Sequence, residues 1–281
     1  MDRIAIITGS SSGFGLLTTI KLAEQGFHVI ATMRNLKKAE IFNKLIKKQD
    51  VFDRIQPRQL DVTDKVSIGK FSEYVKGLER VDVLVNNAGF AIGGFAEHVE
   101  IDDYRRQFET NLFGVIAVTQ AILPKMHERG MGTIINVSSV SGRTAFPGLS
   151  AYVSSKYALE GYTESLRLEL KPFGIQVALV EPGSFQTNIW SSGMEISERS
   201  ADKQSPYYDY MTAITSALES GKKNHGDPVL VANLISKIAS MKELKKLRYP
   251  IGKGLKATIL MKALIPWKWW EKIVLKTILK K

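Results

Sequence analysis

Three side chains at fixed spacing carry the clearest chemistry in this 281-residue chain: Ser139, Tyr152 and Lys156. Tyr152 stands thirteen residues after Ser139, and Lys156 four after that. Tyr152 and Lys156 therefore share one face of any helix they occupy. A tyrosine with its ordinary pKa of about 10 is a poor base at neutral pH. A nearby ammonium favours the phenolate and lowers that value. Tyr152 would then exchange a proton with an alcohol or carbonyl oxygen, while Ser139 holds the same oxygen by a hydrogen bond. Ser138 and Ser141 compete for that second role, and only the thirteen-residue offset selects Ser139.

A second constellation lies at the N-terminus, in Thr8-Gly9-Ser10-Ser11-Ser12-Gly13-Phe14-Gly15. Glycines let a backbone turn sharply and approach a pyrophosphate closely, and a following helix offers free N–H groups and the positive end of its dipole. Gly9, Ser11, Ser12, Gly13, Phe14 and Gly15 are therefore candidates for holding a dinucleotide. The next apolar run ends in Thr32-Met33-Arg34, with no acid to hold a ribose hydroxyl. An arginine there accommodates the additional phosphate of NADP, so Arg34 points to NADP(H) over NAD(H). No metal is expected: the chain has no cysteine, and His28, His98, His127 and His225 are scattered without ligand spacing.

These residues need a scaffold, and the apolar pattern supplies one. Short non-alternating runs recur at Ile4–Thr8, His28–Thr32, Val81–Asn86, Thr133–Ser138 and Gln176–Glu181, as strands buried on both faces require. Helical patterns at Phe14–Gln25, Ala39–Lys48, Lys65–Leu78, Asp102–Arg129 and Ser150–Lys171 separate or follow them. This alternation predicts an α/β fold: a Rossmann-type, doubly wound parallel sheet with helices on both faces. Residues 184–226 show no long period and read as a substrate loop. A helix from Asp227-Pro228 to about Ala239 and an edge strand at Lys246–Pro250 complete a catalytic domain over residues 1–250. Residues 251–281 form a C-terminal helical extension, with stretches at Leu255–Ile265 and Trp267–Leu279 separated by Pro266.

In this combination the chain resembles the short-chain dehydrogenase/reductase family. The resemblance rests on Thr8–Gly15, Asn86-Asn87-Ala88-Gly89, Asn111, Ser139, Tyr152-x-x-x-Lys156 and Pro182-Gly183, and it spans about residues 3–190, more loosely to 250. It looks closest to the NADP-preferring branch with hydroxysteroid and retinol dehydrogenases and bacterial oxidoreductases of similar length. The resemblance implies a carbonyl–alcohol oxidoreductase. Tyr152 would be its general acid/base, and Lys156 would hold the nicotinamide ribose and lower the tyrosine pKa. Asn111 would position a relay water. Asp61 and Val62 would flank the adenine, Asn87, Ala88 and Gly89 would face the cofactor, and Pro182, Gly183 and Thr187 would hold the nicotinamide amide. Alternatives stand beside three of these: Asn87 as a sheet support, Asp61 as a helix cap, and Asn111 as a bend in its own helix.

The substrate side is apolar in composition. Phe90–Phe95, Val140, Phe146-Pro147-Gly148 and the 184–220 loop with Trp190 suit a steroid, retinoid, fatty or aromatic carbonyl better than a sugar. Phe146 and Trp190 are the named substrate contacts, with Ser139 and Tyr152.

The net charge of +11 is unevenly placed. Residues 221–281 hold 15 Lys and Arg against 3 Asp and Glu, a local +12, so residues 1–220 are nearly neutral. That distribution argues against a nucleic-acid-binding fold, and no recognition motif supports one. Lys268, Lys272, Lys276 and Lys280 recur every four residues beside Trp267, Trp269 and Trp270. This pattern suits either peripheral membrane contact or a helix packed on the protein with a solvated lysine face. No signal-peptide pattern or membrane-spanning run is seen, so a cytoplasmic protein is expected. The resemblance implies that a homo-oligomer would pair through Asp102–Arg129 and Ser150–Lys171, as family members often do, unless the long tail blocks or replaces those contacts. A nucleotide-binding regulatory protein without turnover is the competing reading, although it would have no need to keep Ser139, Tyr152 and Lys156 together.

Overall fold

The computed structural model describes residues 2–187 and 193–279. Its strands are β1 (Ile4–Ile7), β2 (His28–Met33), β3 (Ile55–Gln59), β4 (Val83–Asn86), β5 (Ala91–Gly93), β6 (Gly132–Val137), β7 (Ile175–Pro182), β8 (Met194–Ile196) and β9 (Arg248–Ile251). Seven of them pair in parallel in the order β3-β2-β1-β4-β6-β7-β9, and β5 and β8 form a separate parallel pair. Successive strand residues point to opposite faces. Ala5, Ile7, Val29, Val85 and Val180 meet one helix layer, and Ile6, Ile30, Leu84, Ile134 and Val177 meet the other. Burying each such side chain stabilises by roughly 1.5–3 kcal/mol, which is why the runs are apolar throughout rather than alternating.

The helices are α1 (Gly13–Glu24), α2 (Glu40–Leu45), α3 (Gln49–Phe52), α4 (Lys65–Lys76), α5 (Ile101–Phe108), α6 (Gly114–His127), α7 (Ser150–Leu170), α8 (Glu198–Ala201), α9 (Tyr208–Gly221), α10 (Val229–Ala239), α11 (Leu255–Leu264) and α12 (Trp267–Leu279). Leu22 of α1 and Val231 and Ile235 of α10 cover the first face, whereas Phe71 of α4, Val118 and Ile122 of α6, and Leu166 of α7 cover the second. The connections from β1 and β4 leave to opposite sides, which opens a crevice beyond the carboxyl ends of the central strands.

The structure departs from the sequence reading in four places. Ile55–Gln59 is a strand although it contains Pro57 and Arg58; it lies on the sheet edge, where a missing N–H and a polar face are tolerated. The expected helix Ala39–Lys48 is split, with a 3₁₀ turn at Leu36–Ala39 followed by the short α2 and α3. The expected helix Asp102–Arg129 widens into a π turn at Glu109–Phe113, which separates α5 from α6. The 184–226 segment is not all loop: it holds β8, α8 and the fourteen-residue α9. Phe95 stacks on Tyr207 at 4.3 Å and lies 5.2 Å from Tyr210, so distant aromatic partners settle this region. The inner face of α12 also packs on α9, with Trp270 buried and Val274 half-buried.

Strand β9 is fastened to the sheet by charge as well as by its ladder. Arg248 donates from Nε to Glu160 Oε2 at 2.9 Å, lies 3.2 Å from Glu181 Oε1, and also pairs with Glu164. Arg143 meets the fully buried Glu181 at 3.3 Å. Burial and the neighbouring Glu160 carboxylate push the Glu181 carboxyl upward against the pull of both arginines. Arg248→Ala leaves buried Glu181 to Arg143 alone and takes from Glu160 its arginine. Because the Arg248 side chain is partly exposed, the expected loss is about 2 kcal/mol, below the roughly 3–5 kcal/mol of a fully buried pair. Urea unfolding of the two proteins measures it, and an unchanged midpoint would contradict this account.

Candidate active site

The glycine segment forms the floor of a cleft of about 1180 Å³ at the carboxyl ends of the strands. Gly9 and Gly13 adopt φ of +68° and +54°, which side chains rarely tolerate. Gly15 is there for space: a Cβ would sit 2.4 Å from both Asn87 Nδ2 and Gly9 O. Thr8 Oγ1 accepts from the backbone N–H groups of Asn87 and Ala88, both at 2.9 Å, while Asn87 Nδ2 donates to Thr8 O at 2.9 Å and Gly9 O at 3.2 Å. Asn87 thus supports the sheet and also lines the cleft. Ser12 caps α1 without a side-chain hydrogen bond, and the first turn carries no acid. The helix start therefore keeps backbone donors and a positive dipole end for a phosphate. These features fit a dinucleotide.

Arg34 lines the cleft where β2 ends, and Asn35 and Lys38 line it beside Arg34. Thr32 is buried and donates to Ile7 O at 3.0 Å, so it belongs to the sheet. Asp61, Val62 and Thr63 form the adjoining wall. Asp61 Oδ1 accepts from Thr63 N at 3.0 Å and Thr63 Oγ1 at 2.8 Å, and Asp64, not Asp61, caps α4 through Val66 N. Gly89, Pro182, Gly183 and Thr187 also line the cleft, as expected.

At the other end, α7 delivers Tyr152 and Lys156 against the end of β6. Both are buried and both line the cleft. Ser139 begins a 3₁₀ turn, its Oγ accepting from Ser141 N at 3.1 Å, and its hydroxyl is near enough to Tyr152 to act on the phenol. Ser138 lines the cleft as well, whereas Ser141 does not. Lys156 Nζ donates to Val137 O at 2.9 Å and lies 5.8 Å from the Tyr152 ring centre. Burial pushes the Tyr152 phenol up to about 12, partly offset by the Ser139 hydroxyl. The expected lowering by Lys156 is therefore not what this geometry gives. Burial also brings Lys156 down to about 8, opposed by Glu160 one turn further along α7.

Among the expected residues, Gly15, Asn111 and Phe146 do not line the cleft. Asn111 is buried in the π turn, donating to Phe90 O and Ser155 Oγ, both at 3.1 Å, and accepting from Phe90 N at 3.2 Å. It does not line the cleft; it ties the Gly89-Phe90 wall to α7. Phe146 is half-buried away from the cleft, because its loop folds back so that Gly94 N can donate to Gly148 O. Trp190 lies outside the described residues. Among the described residues no group of three or more His, Asp or Glu is placed to hold a metal ion.

Other lining residues escaped the sequence reading. Lys38 was signalled by its four-residue spacing from Arg34. Phe185 follows Pro182-Gly183 and meets Phe14 edge-on at 5.8 Å. The Arg106–Glu195 pair at the rim, 2.7 Å apart, joins residues far apart in sequence and left no signal.

Comparison with known proteins agrees with this geometry. The profile of the short chain dehydrogenase family matches residues 3–196. The chain is 50% identical over 276 residues to the uncharacterized oxidoreductase YusZ of Bacillus subtilis, covering 98% of each protein. It is 36% identical over 241 residues to a 3-ketodihydrosphingosine reductase of Bacteroides thetaiotaomicron, covering 85% of this chain and 84% of that one. The solved structure of ElxO with NADP bound superposes with a TM-score of 0.75 at 26% identity, over 92% of this chain and all of the other.

Gly15→Ala forces a methyl group against Asn87 and the Gly9 carbonyl. The expected result is destabilisation by about 1–3 kcal/mol, the usual cost of overpacking, and loss of saturable NADPH binding. Thermal unfolding and NADPH fluorescence titration measure the two effects, and wild-type binding would exclude this role for Gly15.

Proposed function

The chain belongs to the short-chain dehydrogenase family of oxidoreductases acting on CH–OH donors, and from that premise we propose that it uses NADP(H) to interconvert a secondary alcohol and a carbonyl on an apolar substrate, with Tyr152 as general acid/base. The observation that carries this reading is the convergence of Ser139, Tyr152 and buried Lys156 in one cleft whose other end is the glycine turn. A bound nicotinamide coenzyme supplies or accepts the hydride.

The chain's own groups handle the oxygen. Ser139 orients it, and Tyr152 donates its proton as the carbonyl becomes an alcohol. A phenol held near 12 is protonated at neutral pH and is poised for that direction. The Lys156 ammonium uses one donor on Val137 O and keeps two for neighbouring oxygens. Arg34 and Lys38, with no carboxylate at the end of β2, favour the extra phosphate of NADP(H). Phe90, Phe185 and Val137 provide apolar lining near the catalytic residues. The 3-ketodihydrosphingosine reductase relative supports a long-chain lipid carbonyl as the substrate class.

A panel of apolar ketones and aldehydes, followed at the nicotinamide absorbance, tests this reading. NADPH should outperform NADH, and Tyr152→Phe should lower kcat at least about 100-fold, the scale of a lost general acid. Unchanged turnover in Tyr152→Phe would refute the mechanism. The reduction rate should stay level up to neutral pH and fall as pH rises through about 8, where Lys156 loses its proton. A rate that rises over that range would contradict the role of the ammonium. Arg34→Ala with Lys38→Ala should cut the preference for NADPH over NADH by about tenfold or more, the scale of lost charge-assisted bonds to phosphate. An unchanged ratio would assign the preference elsewhere.

A further inference from the structure

Helix α11 packs through Leu255 yet leaves much of its apolar surface outside. Its inward face carries a lysine: Lys262 donates to Tyr157 Oη at 2.6 Å and also to Arg143 O. Its outward face carries Leu260, Met261 and Leu264, with Leu264 74% exposed. Beyond Pro266 the apolar surface continues through Trp267 and Trp269, which are 62% and 60% exposed, whereas Trp270 turns inward. Exposed Leu, Met and Trp side chains in one consecutive stretch are unusual for a surface that meets only water. Lys253, Lys256, Lys268 and Lys272 surround the patch and are themselves exposed. No helix among the described residues is long and apolar enough to cross a membrane.

We propose that the outward face of α11, with Trp267 and Trp269 at the start of α12, docks on an anionic lipid bilayer and lies in the plane of its interface. Charge complementarity decides the occupant. In and beside this stretch the exposed Lys253, Lys256, Lys268 and Lys272 stand against Glu271 alone, so a second copy placed on the same face would bring two basic surfaces together. Anionic headgroups match the lysines, tryptophan rings prefer the headgroup level, and the leucines reach the acyl boundary. The inward contacts fix this face relative to the enzyme. Leu255 packs beside Gly183, whose N–H donates to Ile251 O at 2.8 Å, and α12 rests on α9. The docked surface is thereby tied through Gly183 to the lining of the cleft, and through α12 to α9.

The full chain should be sedimented with vesicles of phosphatidylcholine alone and of phosphatidylcholine with phosphatidylglycerol, at low and high salt. Binding to the anionic vesicles only, weakening with salt, is the expected result. Leu260→Gln with Leu264→Gln and Trp267→Gln should weaken it about tenfold or more, and Lys268→Glu with Lys272→Glu should do the same. All five side chains are exposed, so both variants should keep the parent's melting temperature and turnover of a water-soluble carbonyl. No binding by the parent, equal binding to neutral vesicles, or undiminished binding by both variants would overturn the proposal. A concentration-dependent dimer of the parent that the Leu/Trp variant abolishes, without vesicle binding, would also overturn it and would make a second copy the occupant.

Discussion

An ammonium group sealed inside a protein requires acceptors, and the site is organised around how Lys156 finds one. Its bond to Val137 O clasps the middle of α7 to the last residue of β6. With that clasp closed, the turn leaving β6 brings Ser139 against Tyr152, one helical turn before the lysine. Sheet and helix are rigid on either side, so the relative positions of the serine, tyrosine and lysine depend little on the loops. Beneath them runs a buried polar chain: Asn86 Nδ2 donates to Thr119 Oγ1 and Asn136 Oδ1, and Asn136 Nδ2 donates to Thr163 Oγ1. Each of these groups would be costly to bury alone, and together they fix the register of β4, β6, α6 and α7.

Much of this was legible in the sequence because it is local. The strand runs, the glycine turn, and the spacing of Ser139, Tyr152 and Lys156 are each set within a few residues, and the structure brings them into one cleft. What stayed hidden depends on distant partners. Nothing near Ile55–Gln59 announces a strand, because its pairing with β2 supplies the reason. The period of α9 was masked by small and polar residues, and its apolar side becomes intelligible only with Phe95 and α12 in place. The place of Phe146 outside the cleft lining was hidden for the same reason: proximity in sequence to the catalytic turn does not say which way a loop folds back.

Electrostatics shows the same limit. Adjacent Tyr and Lys on a helix suggest mutual adjustment of their pKa values, but burial acts on both and dominates each. Glu160 then matters to Lys156, and Arg248 holds Glu160, so a residue on the last strand of the sheet bears on the charge at the site. Four residues on α7 and β9 become one electrostatic unit that no local window of sequence contains.

The wide turn at Glu109–Phe113 gives the long helix a local feature without changing its overall course. A π turn holds one residue more than the regular helix it interrupts, and it absorbs that residue within a single turn. Loss of one residue there would restore ordinary helical bonding and leave α5 and α6 close to their present phase. The face of α6 that buries Val115, Val118, Ile122 and Met126 would stay on the sheet, whereas the widening that carries Asn111 to Phe90 and Ser155 would be lost. The extra residue thus serves the wall of the cleft and not the packing of the helix: a spare length of chain used as a local bracket.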